Sequence, residues 1–190
     1  MSSRLVTFDL SDDLTKVSAF ASEAGRKGKE RARYLAANRT LRSLNTAAVR
    51  AIAKHRAIKQ KVIRGEMRKK FASRTDPNAQ LSVSDKPITF RRYGARIRGK
   101  TGRLGIAVRI TDKREYFKHA FQVPKLNNQF FERDRKTGKL KVLHGPSLGS
   151  VWKLPAVQRQ LEEKAVSEFK KNFKQRMEYE IRLAARRRRR

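Results

Sequence analysis

The spacing of apolar residues along this chain changes twice, and that change constrains the fold more than any other feature. Before residues 73–78, whose sequence SRTDPN is rich in turn-forming residues, apolar side chains recur every three or four positions. After this segment they alternate with polar residues, as in a strand with one exposed face. From Pro155 the helical spacing returns. This order predicts an α+β protein with N-terminal helices, a small antiparallel β-sheet and a long C-terminal helix packed on the sheet.

We therefore expect one structural domain made of three consecutive segments. Residues 1–74 are predicted to form a helical N-terminal arm, residues 75–150 an antiparallel β region, and residues 151–190 a C-terminal helix with an arginine tail. A length of 190 residues suits one domain of this kind. Hydrophobic residues make up 38% of the chain, so the core is expected to be modest.

The N-terminal arm carries the spacing of helices. Ser11, followed by two aspartates, is typical of a helix start, because its hydroxyl can cap the first turn. Gly25 and Gly28 interrupt the pattern, and a helix is expected to resume over residues 30–55. A second, strongly basic helix is predicted over residues 57–72.

The middle of the chain contains short segments with the alternation of strands. The clearest is residues 106–110, in which isoleucine and valine alternate with alanine and arginine. Residues 134–143 are expected to form a hairpin that turns at Gly138 and enters a further strand. The other strand candidates are residues 81–83, 88–90, 117–123 and 129–133. A second segment of turn-forming residues, GPSLGS, follows at residues 145–150.

Residues 91–104 are predicted to form a long basic loop or the tip of a β-ribbon, because they hold three glycines, six bases and no acid. One hypothesis is that this loop follows a phosphate backbone, with Tyr93 stacking on a base. The alternatives are a solvated hairpin tip and an arm that docks on an acidic neighbour. The candidate contact residues are Arg91, Arg92, Arg96, Arg98, Lys100 and Arg103.

The C-terminal segment predicts one long helix that begins at Pro155, since proline is favoured at the first helical position. An apolar residue stands at every fourth position from Val157 to Ile181. Four residues exceed one helical turn by about 40°, so this stripe winds around the helix and suits contact with more than one body. Five glutamates, Glu180 among them, are expected on a solvated outer face. The candidates for a subunit interface are Phe169, Phe173, Met177 and Ile181.

The formal net charge of +32 calls for a polyanion, an acidic partner or a crowded assembly nearby. It is distributed unevenly: residues 25–74 carry seventeen bases and two acids, whereas residues 1–24 carry two bases and four acids. Nucleic acid is the first candidate partner, because neutralising phosphates releases counterions. The chain also ends in five arginines, which suit a nucleic-acid tail, a membrane-surface tail or a disordered end. They are Arg186, Arg187, Arg188, Arg189 and Arg190.

Several function classes are disfavoured by the sequence. The absence of cysteine excludes a disulfide framework and cysteine-based metal sites. No apolar run approaches the roughly 18 residues of a membrane span, so no membrane partner is expected. Histidines and carboxylates do not cluster, so we predict no metal, no cofactor and no catalytic residue, and we do not expect an enzyme. A helix-turn-helix with residues 56–70 as recognition helix is a further hypothesis, although the apolar stripe is thin for its core.

Several stretches together resemble the minor tail protein Z family of tailed bacteriophages. They are NTAAVRAIAKHRAIKQKVIRGEMRKKF at residues 45–71, HAF at 119–121, FFER at 130–133 and KLKVLHGPSL at 139–148. The resemblance covers about residues 30–185, and its most specific pieces are the basic segment through Phe71, Asn45-Thr46-Ala47 and Gly145-Pro146-Ser147. These motifs are architectural and not catalytic.

The resemblance implies a structural virion protein at the head-proximal end of the tail or in the neck, needed for tail maturation and head–tail joining. Proteins at this position form rings around the DNA channel, usually six-fold, so a homohexamer is expected. The partners would be other tail and neck proteins, such as tail terminator, connector or tube rings, and genomic DNA in the channel. Assembly would take place in the host cytoplasm. The alternative is a small basic DNA- or RNA-binding protein.

Overall fold

The computed structural model describes residues 21–98, 105–110 and 114–188. Their contacts form two compact units. Unit 1 takes the described chain up to Ala48, the segment Met67–Val83 and the chain from Pro155 onward. Unit 2 takes Val49–Glu66 and Ser84–Leu154.

The described residues form helices at both ends and short strands between them, which confirms the α+β prediction. The helices are α1 (Ala21–His55), α2 (Gln60–Gly65), α3 (Leu148–Trp152) and α4 (Pro155–Arg188), with a 3₁₀ turn at Pro124–Leu126. The strands are β1 (Met67–Lys70), β2 (Gln80–Val83), β3 (Pro87–Thr89), β4 (Arg96–Arg98), β5 (Gly105–Arg109), β6 (Arg114–Phe117), β7 (Ala120–Val123), β8 (Gln129–Arg133), β9 (Leu140–Val142) and β10 (His144–Ser147).

Helix α1 ends at His55 as predicted, but it begins earlier than predicted. The predicted cap at Ser11 lies outside the described residues. The interruption is at Gly25 alone, whose φ of 68° and ψ of 166° put a kink in the helix. Glycine adopts a positive φ without the steric cost that a side chain would bring. Gly28 lies inside the helix, so the predicted start near residue 30 is wrong by several residues.

The core of unit 1 joins small residues of α1 to large residues of α4. Ala32, Ala36 and Ala37 of α1 are buried together with Phe169, Phe173 and Met177 of α4, and with Ala72 of the loop after β1. The two phenylalanine rings are stacked, with their centroids 5.7 Å apart. Alanine on one helix leaves the volume that aromatic side chains of the other helix fill. Pro155 begins α4 as predicted, and the four-residue stripe is buried from Val157 to Met177.

The predicted basic helix over residues 57–72 is wrong. Only the six residues of α2 are helical there, and the chain then continues as strand β1. Strand β1 pairs antiparallel with β2, which sets Met67 opposite Val83. Met67 is buried, and the next three residues are exposed. Met67, which the apolar spacing had assigned to a helix, is therefore buried as part of a paired strand. Gly65, which weakens a helix interior by about 1 kcal/mol relative to alanine, is the last residue of α2.

Unit 2 contains three small antiparallel sheets. Strand β3 pairs with β10, and the two three-stranded sheets have the orders β4-β5-β6 and β7-β8-β9. Strand β8 covers residues 129–133 as predicted, and the predicted hairpin turns at Gly138 with a φ of 67°. The candidate strand at residues 117–123 is instead two strands, β6 and β7, separated by a turn.

The segment GPSLGS was predicted to interrupt regular structure, and this prediction is wrong. Its first residues lie in β10, and the chain enters helix α3 directly after Ser147. The Ser147 hydroxyl accepts a hydrogen bond from the backbone N–H of Ser150 and so caps α3. A serine cap satisfies one of the backbone donors that the first turn of a helix leaves unpaired.

Candidate basic contact surfaces

The basic segment 91–104 is not one continuous loop in its described part. Its first residues form a tight turn in which the Gly94 N–H donates to the Arg91 carbonyl, with a positive φ of 71° at Gly94. The chain then enters β4, which holds Arg96 and Arg98. Lys100 and Arg103 lie outside the described residues. The β-ribbon interpretation is therefore supported for β4 and β5, which pair antiparallel.

Tyr93 does not stack on a base, so this part of the loop hypothesis is wrong. Its side chain is 4% exposed, and its hydroxyl donates a 2.8 Å hydrogen bond to the Pro146 carbonyl. Burial raises the pKa of the Tyr93 hydroxyl above its ordinary value of 10.0, and the nearby positive charge of Arg56 opposes the shift. A Cβ at Gly145 would lie 2.5 Å from the Tyr93 ring, so glycine allows this contact.

The motif Gly145-Pro146-Ser147 thus has an architectural role. Beyond the two contacts to Tyr93, its Ser147 hydroxyl donates to the Asp85 carboxylate at 2.8 Å. The other carboxylate oxygen of Asp85 accepts a hydrogen bond from the Lys153 ammonium at 2.7 Å. These bonds connect the start of β3, strand β10 and the end of α3 within unit 2.

Arg91 and Arg92 are engaged by neighbours inside unit 2. Arg91 donates to the Asn127 carbonyl, and Arg92 forms an ion pair with Glu66. Both arginines line a hollow of ≈ 530 Å³ that also contains Lys86. Because the Glu66 carboxylate neutralises part of its charge, this hollow attracts anions less than its arginine content suggests.

One face of the sheet β4-β5-β6 holds arginine positions that lie apart in the sequence. The register sets Arg96 opposite Ala107 and Ala107 opposite Tyr116, so these positions share one face. Because strands alternate faces, the positions of three further arginines share it as well. These are Arg98 on β4, Arg109 on β5 and Arg114 on β6.

Exposure does not separate the two faces of this sheet completely, because Ile97, on the face opposite Arg96, is 45% exposed. On the other face, Val108 is buried and the Phe117 ring lies 4.9 Å from the ring of Phe90, measured between centroids. On the basic face, Arg96 is exposed and Tyr116 is 50% exposed. The acidic residue of these three strands, Glu115, pairs with Val108 on the face opposite Arg96, and it is exposed. The arginine and tyrosine positions that share the face of Arg96 are here called the arginine face.

A second basic surface lies in unit 1, at the last turns of α4. Helix α4 continues to Arg188, so the alternative of a disordered end does not hold for residues 186–188. Arg186 and Arg187 are exposed, and nothing is described for Arg189 and Arg190. Arg187 lines a groove of ≈ 520 Å³, here called the terminal groove. The other cations that line it are Lys27, Arg31 and Arg74.

A buried carboxylate lies beside the cations of the terminal groove. Glu180 was expected on a solvated face, but it is 6% exposed, so that expectation is wrong. It accepts a 2.6 Å hydrogen bond from the Arg176 guanidinium and lies 3.7 Å from that of Arg31. A buried charge requires such partners, because desolvation without them is costly. Glu180 therefore holds two arginines in place next to the groove.

The model of the family described as prophage minor tail protein Z matches residues 23–187 of the chain. The chain belongs to this family. It is therefore a phage tail structural protein and a virion component. The searches of curated proteins and of solved structures found no match.

Most of the residues predicted for a subunit interface are buried inside this chain. Phe169, Phe173 and Met177 are buried in the core between α1 and α4. Ile181 is half-buried, so part of its surface is exposed. An interface role for these positions stays a prediction, and Ile181 is the position with surface to offer.

The described residues contain no arrangement typical of a catalytic or metal site. His55, His119 and His144 are exposed and lie apart in the sequence. Over residues 21–98, 105–110 and 114–188 no group of three or more histidine, aspartate or glutamate side chains could hold a metal ion. No described helix combines the length and the apolar character that crossing a membrane requires.

Proposed function

We propose that this tail protein completes the tail at its head-proximal end or in the neck and makes it competent to join the head. The observation that carries the proposal is the placement of positive charge. The arginine face holds four arginine positions on one side of a sheet, and four cations line the terminal groove, in a chain whose net charge is +32. Basic surfaces of this kind suit a channel that DNA occupies, because phosphates neutralise them.

The same proposal includes a closed ring, six-fold, of copies of this chain. Several large apolar side chains are exposed although the chain has buried cores. They are Phe71, Ile97, Leu126, Leu140 and Leu154, with exposures between 39% and 47%. Single exposed apolar residues are common, but neighbouring subunits would bury them in a ring whose contacts are heterologous and closed. Other tail and neck rings and the genomic DNA complete the list of proposed partners, and assembly takes place in the host cytoplasm.

The experiment is a deletion of the coding sequence in the phage, complemented by variants of the protein. Particles made without the protein are expected to contain heads and tails that fail to join or fail to retain DNA. Native mass measurement of the purified protein and of virions tests the ring and its copy number. Virions that lack the protein altogether would contradict the proposal.

A charge variant tests whether the basic ribbon, meaning the cations of residues 96–103, takes part in head–tail joining. Arg96, Arg98, Lys100 and Arg103 are changed together to glutamine, and joining and DNA retention are expected to fall while the fold is kept. The matched control changes Arg159, Lys171, Lys174 and Arg182, four exposed cations of α4, in the same way. Infectivity equal to that of the control variant would remove the ribbon from the mechanism.

The alternative function is a free DNA- or RNA-binding protein. The recognition helix predicted for it at residues 56–70 is not formed. A recognition helix needs several turns to fill a major groove, and α2 has six residues. A monomer that binds duplex DNA with a steep salt dependence and is missing from virions would favour this alternative.

A further inference from the structure

We propose that the end of the hairpin formed by β8 and β9, residues 133–141 and here called the hairpin tip, binds the phosphate backbone of duplex DNA. The proposal rests on the proposed function in one respect, namely that basic surfaces of this protein meet DNA. It adds the segment that makes the contact and the form of the nucleic acid. The hairpin tip lies in unit 2 and is separate in sequence from both the arginine face and the terminal groove.

The hairpin tip is exposed along its whole length. All nine of its residues are exposed, and this is the longest run of consecutive exposed residues in the described part of the chain. The strand residues directly before and after it, Glu132 and Val142, are half-buried. The tip is therefore open to a partner that approaches from solvent.

Positive charge dominates the hairpin tip. Its sequence, RDRKTGKLK, contains one acid, Asp134, and a second acid, Glu132, lies opposite Lys141 in the register of β8 and β9. Among the described residues, no base of the tip forms an ion pair with a carboxylate. Phosphates would neutralise this charge and release their counterions. The bases are Arg133, Arg135, Lys136, Lys139 and Lys141.

The acid of the tip orders the turn that presents these bases. The Asp134 carboxylate accepts hydrogen bonds from the backbone N–H groups of Lys136 and Thr137, at 2.8 Å and 2.9 Å. The Asp134 N–H donates to the Lys139 carbonyl at 2.9 Å, and the Gly138 N–H donates to the Asp134 carbonyl at the same distance. A turn that is already ordered loses less conformational freedom when it binds.

The shape and the composition of the tip favour a duplex over an unpaired strand. The tip has no aromatic residue, so it offers no ring for the stacking that holds unpaired bases. The major groove of duplex DNA is about 12 Å wide and admits a two-stranded β-ribbon. Strands β8 and β9 pair directly, at the usual spacing of about 4.8 Å, so their end has this form.

The choice of cation favours DNA over an acidic protein. Three of the five bases of the tip are lysines. Lysine is depleted in protein–protein interfaces, whereas it binds phosphates well as a compact charge. Leu140 is the one large apolar residue of the tip, so an apolar interface core has little to form around.

The test measures binding of the purified full-length protein to a fluorescently labelled duplex of about 20 base pairs over a range of salt concentrations. Arg133 is kept, because its guanidinium donates to the Gly138 carbonyl at 3.1 Å and supports the turn. The tip variant is expected to bind at least tenfold more weakly and to reduce the steepness of the salt dependence by about 3–4. It changes Arg135, Lys136, Lys139 and Lys141 together to glutamine.

The matched control removes the same charge from an exposed part of α4. Its binding and its salt dependence are expected to stay closer to those of the wild type than those of the tip variant. Circular dichroism melts check that both variants remain folded. The control changes Arg159, Lys171, Lys174 and Arg182 together to glutamine.

A second pair of variants tests the ordered turn without changing charge. Gly138 has a φ of 67°, and a Cβ there would meet no atom within 4 Å, so a substitution acts through the backbone alone. Gly138→Val is expected to weaken duplex binding about threefold, because a β-branched residue does not tolerate this φ. Gly138→Asn is expected to bind like the wild type, because asparagine adopts the left-handed conformation.

Four outcomes would overturn the proposal. Equal losses for the tip variant and the α4 control would show that only net charge matters, and equal binding by the two Gly138 variants would remove the role of the ordered turn. Binding of a single strand as tightly as the duplex would contradict the form of the nucleic acid. Displacement of the duplex by polyglutamate as effectively as by unlabelled duplex would assign the tip to an acidic protein. The proposed tail function fails separately, through the absence of the protein from virions, and that result leaves the binding measurement unaffected.

Discussion

The interiors of units 1 and 2 are built from different elements. In unit 1, large apolar side chains of α4 pack on the alanines of α1. In unit 2, short strands are connected by individual polar contacts, such as the Tyr93 hydroxyl on Pro146 and the Asp85 carboxylate on Ser147 and Lys153. The comparison teaches that both units bury apolar side chains, and that polar contacts add to the apolar core of unit 2, where Ile63, Val108 and Leu148 are among the most buried side chains.

The largest effect is expected from Phe173→Ala in unit 1. Removing a buried aromatic side chain loses its burial and leaves a cavity, which costs about 3–5 kcal/mol of the free energy of unfolding. Denaturant unfolding measures the change. Tyr179→Ala is the matched truncation at an exposed position of the same helix, and its cost should stay below about 1 kcal/mol. Equal costs would contradict the packing of α1 on α4 as the main support of unit 1.

Glu180→Ala is expected to destabilise unit 1 by about 2–3 kcal/mol, because Arg176 would lose its carboxylate partner in a mostly buried setting. The control is Glu178→Ala on the exposed side of the same helix, with an expected change within about 0.5 kcal/mol. Thermal unfolding of the two variants gives the difference. If both variants melt alike, Glu180 is solvated in solution.

Tyr93→Phe is expected to cost unit 2 about 1 kcal/mol, the usual net value of one hydrogen bond. It also tests a pH effect with a defined sign. Burial raises the Tyr93 pKa above 10.0, so the stabilisation from its neutral form is fully present below pH 10.0 and is lost as the pH rises through the raised pKa. Unfolding measured between neutral and alkaline pH should show this loss in the wild type, and an equal alkaline loss in Tyr93→Phe would assign it elsewhere.

The smallest expected effect on stability is the pH dependence that comes from two exposed carboxylates in turns, Asp76 in unit 1 and Asp134 in unit 2. The Lys70 ammonium, 2.8 Å away, is the main reason that the Asp76 pKa is lowered, whereas the backbone N–H groups of Thr137 and Lys136 lower that of Asp134. Both groups contribute stability above their ordinary pKa of 3.8 and lose it as the pH falls through the lowered pKa.

The pKa values of these two carboxylates are expected to respond differently to salt. Raising the ionic strength from about 0.01 M to about 1 M shortens the Debye length from about 30 Å to about 3 Å. The Asp76 pKa should then move upward more than the Asp134 pKa, because an ion pair is screened and a local backbone hydrogen bond is not. NMR titration of both carboxyl groups measures the shifts. Equal shifts would show that Lys70 is not the main partner of Asp76 in solution.

The sequence predicted elements whose pattern is local and strong. The start of α4 at Pro155, the strand at residues 129–133 and the turn at Gly138 depend on spacing and on special residues, and they are confirmed. The helix predicted over residues 57–72 failed because pairing with β2 decides that segment, and its partner strand lies beyond the loop at residues 73–78. Local spacing carries no information about such a partner.

The candidate surfaces were predicted less well than the fold, because they depend on register. From the sequence, the basic residues of 91–104 were predicted to act together because they are close along the chain, and Tyr93 was predicted to stack on a base. The structure buries Tyr93 and sets Tyr116 beside Arg96 by pairing across β5. Alternation within REYF at residues 114–117 was the signal for an outward tyrosine, but only the strand order shows which arginines accompany it.

Strand β4 stands at the margin of its sheet, with β5 on one side, in the order described. An edge strand offers backbone donors and acceptors to any other extended chain. Proteins commonly protect such edges by keeping the edge strand short and by placing charged side chains on it. β4 has three residues, two of them arginines. Arg96 and Arg98 are therefore expected to disfavour pairing of β4 with the edge strand of another copy. Removing their charge should lower the concentration at which the purified protein stays soluble, whatever it does to binding.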